Sequence, residues 1–113
     1  MKQLLLAVAL GAIFATSAFA HSPLKSTNPA NGATVSSAQT FIKLVFGKPA
    51  RVTKIVLVNG EGDKKRLAIP KKEFTTDLTI DADLSAAGKY EVQWRALSED
   101  GHAIKGSFGF KVE

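Results

Sequence analysis

This sequence predicts an all-β fold, a small sandwich of short strands, on three observations. Apolar side chains recur with period two in several separate stretches, as strands with one buried face require. Turn-forming residues fall between those stretches at spacings of about 8–12 residues. No stretch carries a convincing helical period. Taken in order, Ile42, Leu44 and Phe46 alternate with Lys43 and Val45 and form the first strong strand. Val52 to Val58 is β-branched and runs into Asn59-Gly60, a strong turn signal. Phe74 to Ile80, rich in Thr and punctuated by Asp77, is a further strand. Tyr90, Val92, Trp94 and Ala96 alternate with Glu91, Gln93 and Arg95, and Phe108, Phe110 and Val112 close the chain with the same period.

The remaining segments read as connections. Asn28-Pro29-Ala30-Asn31-Gly32 is turn-rich and links the N-terminal stretch to the first strong strand. Gly47-Lys48-Pro49 reads as a polar loop, and residues 83–88 as a loop or a single helical turn. The expected core is Ile42, Leu44, Phe46, Ile55, Leu57, Leu78, Ile80, Tyr90, Val92, Trp94, Phe108 and Phe110.

Length and composition narrow the functional classes. A chain of 113 residues has room for one small domain. It contains no cysteine, which excludes a disulfide framework, a thiolate zinc site, an iron–sulfur cluster and a cysteine nucleophile. Residues 1–20 differ from the rest: Lys2 supplies a positive start, Leu4 to Phe14 an apolar run, and Ala18-Phe19-Ala20 a small-x-small cleavage site. These features predict a signal peptide cut between Ala20 and His21, export to a bacterial periplasm, and a domain over 21–113 with no stable membrane insertion. After removal of Lys2, fourteen cations against ten anions leave a net charge of +4. The basic clusters Lys64-Lys65-Arg66 and Lys71-Lys72 lack interleaved aromatic residues and read as solvated surface, so no nucleic-acid partner is expected.

Chemistry-bearing residues are few. The chain has two histidines, His21 and His102. Cleavage would make His21 the first residue, so its α-amine and a ring nitrogen can chelate one metal ion. Asp100 and His102 stand two residues apart, and in an extended chain such residues share a side. Amine, imidazole, carboxylate and imidazole form an N₃O set that suits Cu(II) first and Ni(II) second. The only methionine is Met1, so soft ligands for Cu(I) would be lost with the signal peptide. Asp100-Gly101 is equally an ordinary hairpin turn, a reading that needs no metal.

The chain resembles the CopC family of periplasmic copper-binding proteins. The likeness begins at His21-Ser22-Pro23-Leu24-Lys25-Ser26-Thr27-Asn28-Pro29-Ala30-Asn31-Gly32 and continues at Ile42-Lys43-Leu44-Val45-Phe46. It is most specific at Val92 to His102 and at Lys105-Gly106-Ser107-Phe108-Gly109-Phe110. The resemblance implies an immunoglobulin-like, cupredoxin-like Greek-key β-sandwich and Cu(II) ligation by His21, Asp100 and His102. It departs from the family in two places. Lys48 stands where some members carry an acidic residue near the copper, and no Met-rich loop for Cu(I) is present.

The expected function is a non-enzymatic, Cu(II)-only protein of copper homeostasis and resistance that sequesters the ion or delivers it, with a membrane copper transporter as the delivery partner. Two alternatives remain open on the sequence. One is a metal-free immunoglobulin-like binding module. The other is a copper oxygenase built on an N-terminal histidine, against which stand the short chain and the carboxylate of Asp100.

Overall fold

The structure, a computed structural model, describes residues 23–113. The expected signal peptide and His21 lie outside the described residues. Seven strands run in the order β1 (Leu24–Asn28), β2 (Thr34–Val35), β3 (Phe41–Asn59), β4 (Lys64–Arg66), β5 (Thr75–Asp81), β6 (Gly88–Ser98) and β7 (Ala103–Val112). Among the described residues no helix is long and apolar enough to cross a membrane.

The architecture is organised by β3. Its first half pairs antiparallel with β1 through Leu24↔Phe46 to Asn28↔Lys43, and with β5 through Phe41↔Asp81 to Val45↔Asp77. Its second half pairs with β6 through Ala50↔Ser98 to Asn59↔Tyr90, and with β4 through Val56↔Arg66 to Val58↔Lys64. Ala50 is the changeover, opposite Thr75 of β5 on one side and Ser98 of β6 on the other. One strand therefore belongs to both layers of the sandwich. The second layer is completed by β7, antiparallel to β6, and by the short β2, parallel to the end of β7.

The core lies between the two halves. Phe46, from the first half of β3, meets Trp94 of β6 edge-on at a centroid distance of 5.6 Å and an interplanar angle of 77°. Tyr90 stacks on Phe110 at 5.6 Å, and the Tyr90 hydroxyl donates to the Ala86 carbonyl at 2.6 Å. All twelve expected core residues are buried.

Several expectations change in detail. Gly47-Lys48-Pro49 is not a loop between strands but part of β3, where the pairing with β5 is interrupted between Val45 and Ala50. Lys64-Lys65-Arg66, read as solvated surface, is exposed and forms the edge strand β4, a position where charge guards against edge-to-edge association. The third expected strand starts at Thr75, leaving Phe74 exposed with the Arg51 guanidinium 5.4 Å from its ring centroid. Leu84, in the stretch read as a loop, is a buried anchor. Val52 joins Ile55 and Leu57 in the core because the pairing with β6 slips between Val52 and Lys54. That irregularity places Thr53 as the extra residue of a bulge.

Candidate metal centre

Asp100 and His102 sit in the turn between β6 and β7. The Ser98 amide donates to the His102 carbonyl at 2.9 Å, and the Gly101 amide to the Ser98 carbonyl at 3.0 Å. Gly101 has φ of 90°, in the region where a side chain is strained, so glycine is the residue that closes this turn. Asp100-Gly101 thus lies in a hairpin turn, as its sequence suggests, but within a three-residue loop of Glu99, Asp100 and Gly101 with the glycine last.

The turn also orients its side chains. The Ser98 hydroxyl donates to Asp100 Oδ1, and the His102 amide donates to the same oxygen at 3.2 Å. These hydrogen bonds, the Ser98 hydroxyl first, hold the Asp100 carboxyl below the ordinary aspartate value. Asp100 Oδ2 lies 3.0 Å from His102 Nδ1, while the two side chains remain 65% and 82% exposed. Nitrogen and oxygen donors about 2.0–2.2 Å from a small divalent ion, at right angles to each other, stand roughly 2.8–3.1 Å apart. As it stands the contact is a hydrogen bond from the ring to the carboxylate, and with Nδ1 free of its proton the same separation matches the bite of a two-point chelate open to solvent.

The third expected ligand, His21, lies outside the described residues. Pro23, two residues further along the chain, does not. The Pro23 carbonyl accepts from the Gly47 amide at 3.0 Å, three residues before Ala50, the partner of Ser98. The described N-terminus thus reaches the same end of the sandwich as the Asp100–His102 turn. Among the described residues no group of three or more His, Asp or Glu side chains gathers around one point, so the hairpin supplies two donors by itself. Lys48 is exposed between Gly47 and Ala50, at that same end. Trp94 is buried at 2% exposure, four residues before Ser98 on β6. Sequence reasoning missed Ser98 as the residue that pins Asp100, although a hydroxyl two residues before Asp-Gly is turn chemistry that could have been read.

A family model described as the CopC domain matches residues 24–113. The chain belongs to the CopC family. Copper resistance protein C of Xanthomonas campestris pv. juglandis is 34% identical over 109 residues, covering 86% of this chain and 84% of that protein. Protein YobA of Escherichia coli strain K12 is 28% identical over 123 aligned positions, covering 96% and 91%. Among solved structures, CopC from Methylosinus trichosporium OB3b superposes with a TM-score of 0.64 at 30% identity, covering 82% of this chain and 94% of that one. PcoC of Escherichia coli, a methionine-rich copper resistance protein, gives a TM-score of 0.58 at 28% identity, covering 83% and 100%. The sandwich expected from the sequence is therefore a CopC sandwich. This CopC chain differs from the methionine-rich relative in having Met1 as its single methionine.

Proposed function

We propose that this CopC protein is exported, cut between Ala20 and His21, and binds one Cu(II) ion at the end of the sandwich. The ligands are the His21 amine and imidazole, the Asp100 carboxylate and the His102 imidazole. The observation that carries this reading is the 3.0 Å pairing of Asp100 Oδ2 with His102 Nδ1, open to solvent at the end to which Pro23 is tied. Copper is cargo here, held for sequestration or passed to a membrane copper transporter by ligand exchange. No bond of another molecule is made or broken. An exposed donor set suits that role because an incoming ligand can approach without moving the sandwich. The absence of methionine after Met1 favours Cu(II) over Cu(I).

The test is copper titration and mass measurement on protein recovered from the periplasm. The expected result is a mass that begins at His21 and rises by one copper per chain. A chain that starts elsewhere, or one that takes up no copper when it starts at His21, refutes the reading.

A further inference from the structure

The outward face of the β3–β6–β7 layer carries a charge pattern invisible in the linear sequence. Lys54 stands opposite Arg95, and Arg95 opposite Lys105, so three cations from three strands form one row. Adjacent strands are about 4.8 Å apart, and like charges placed directly opposite each other destabilise a sheet. The next row holds Arg66, Val56, Gln93 and Ser107, and the one after it has Lys64 and Val58 beside Glu91. Among the described residues none of these five cations has an ion-pair partner, and Glu91 accepts a hydrogen bond from Gln93 at 3.3 Å. A groove of about 430 Å³ opens on this face, lined by the three cations Lys54, Arg95 and Lys105, by Val56, Gln93 and Ser107, and by one carboxylate, Glu91, among others. Val56 faces outward yet is buried, and it stands apart from the main core cluster.

We infer that this face docks an acidic peptide segment of a partner protein, with the Lys54–Arg95–Lys105 row receiving its carboxylates. The concave shape, the apolar floor at Val56 and the hydrogen-bonding groups of Gln93 and Ser107 fit a chain that enters the groove. A lipid surface is flat: its anionic headgroups could meet the cations at the rim but would leave the groove and its Val56 floor unfilled. The one exposed large hydrophobic side chain among the described residues, Phe74, precedes β5 and does not line this groove. Arg95 and Lys105 lie two residue pairs from Leu97↔Ala103, where β6 and β7 enter the Asp100–His102 turn. A docked partner would therefore lie beside the candidate copper ligands. The inference itself does not depend on copper, and metal-free protein tests it.

The experiment measures fluorescence anisotropy of a labelled ten-residue peptide of alternating Glu and Ser, with a Gln-for-Glu peptide as its neutral counterpart. The protein is purified from cells expressing the full chain. Binding of the acidic peptide, weakened by salt and absent for the neutral one, is expected. Reversal of the row by Lys54→Glu, Arg95→Glu and Lys105→Glu together should weaken it at least tenfold. The distant pair Lys71→Glu and Lys72→Glu should change it less than threefold. Arg95→Glu alone should raise the melting temperature by a few degrees at low salt, because it converts two repulsive neighbours into attractive ones. Should the triple variant fail to fold, Lys54→Gln with Lys105→Gln gives the same comparison. Equal loss from the Lys71 and Lys72 reversals would reduce the effect to net charge and overturn the inference. Binding of phosphatidylglycerol vesicles without binding of the acidic peptide would overturn it in favour of a membrane surface. No binding of either probe would overturn it outright.

Discussion

Gly106→Ala is the substitution whose cost the structure defines most closely. Gly106 lies opposite Trp94 across the β6–β7 pair. A methyl group built there would stand 2.8 Å from Cζ2, 3.0 Å from Cε2 and 3.1 Å from Nε1 of the indole. Carbon atoms attract at about 3.5–4.0 Å, so the nearest contact is too short by roughly 0.7 Å or more. The ring has little room to retreat, because Trp94 is 2% exposed and meets Phe46 edge-on at 5.6 Å. Overpacking of this kind costs about 1–3 kcal/mol. Exchanging glycine for alanine within a strand returns about 0.5–1 kcal/mol by restricting the unfolded chain. The difference spans about 0–2.5 kcal/mol, and a 2.8 Å contact with an enclosed ring puts the expectation in its upper part, about 1–2 kcal/mol or a fall in melting temperature of roughly 5–15 °C for a domain of this size. Far-ultraviolet circular dichroism of the metal-free protein measures it, and Trp94, the only tryptophan, reports the local shift by fluorescence. In a Trp94→Phe background the same glycine substitution should cost less, since the opposing ring is smaller. A melting temperature within one degree of the parent, or an undiminished cost in the Trp94→Phe background, would refute the reasoning.

Four other outcomes are expected. His102→Ala should remove a nitrogen from the Cu(II) electron paramagnetic resonance pattern, whereas Asp100→Asn should weaken binding and leave the nitrogen pattern intact. A single residue retained ahead of His21 turns its amine into an amide and should weaken Cu(II) binding at least tenfold, about 1.4 kcal/mol, in competition titration. Ser98→Ala should move the Asp100 titration upward in a carboxylate nuclear magnetic resonance experiment, because the Ser98 hydroxyl is the leading cause of its lowered value. Since that value is lowered on folding, the contribution of Asp100 to stability is complete above the ordinary aspartate value near 3.8 and fades as pH falls through the folded one. Between pH 5 and 7 that contribution should therefore be present in full and unchanging with pH in thermal melts. Lys48→Glu should tighten Cu(II) binding by about tenfold, more at low salt, by exchanging a repelling for an attracting charge at that end of the sandwich.

The inner faces of the sheets were legible in the sequence because burial imposes a period of two, and Tyr90, Val92, Trp94 and Ala96 obey it without interruption. The same rule misplaces Val52, because the bulge at Thr53 inserts one residue and reverses the alternation. The unity of β3 was hidden for a related reason. Gly47 and Pro49 carry turn chemistry, yet the backbone through them continues from one layer into the other. At the candidate site, Asp100-Gly101 declared its turn, while Asp100 and His102 meet through that turn rather than through the extended chain that their spacing suggested. The role of Ser98 did not stand out, since a serine is compatible with many turns until its acceptor is known. The cation row was out of reach altogether. Lys54, Arg95 and Lys105 become neighbours through strand register, a long-range property that no local pattern encodes.

The passage of β3 between layers makes it a caliper. Pro23 is fastened at Gly47 and Ser98 at Ala50, so the two arms that approach the proposed copper position are fixed to one short run of backbone, at most about 10 Å long. Their spacing is set by the three residue steps from Gly47 to Ala50 rather than by how two independent sheets settle against each other. One residue inserted between Gly47 and Ala50 would leave both sheets their own partners while opening the jaws. The gauge would be lost although the sandwich around it survived.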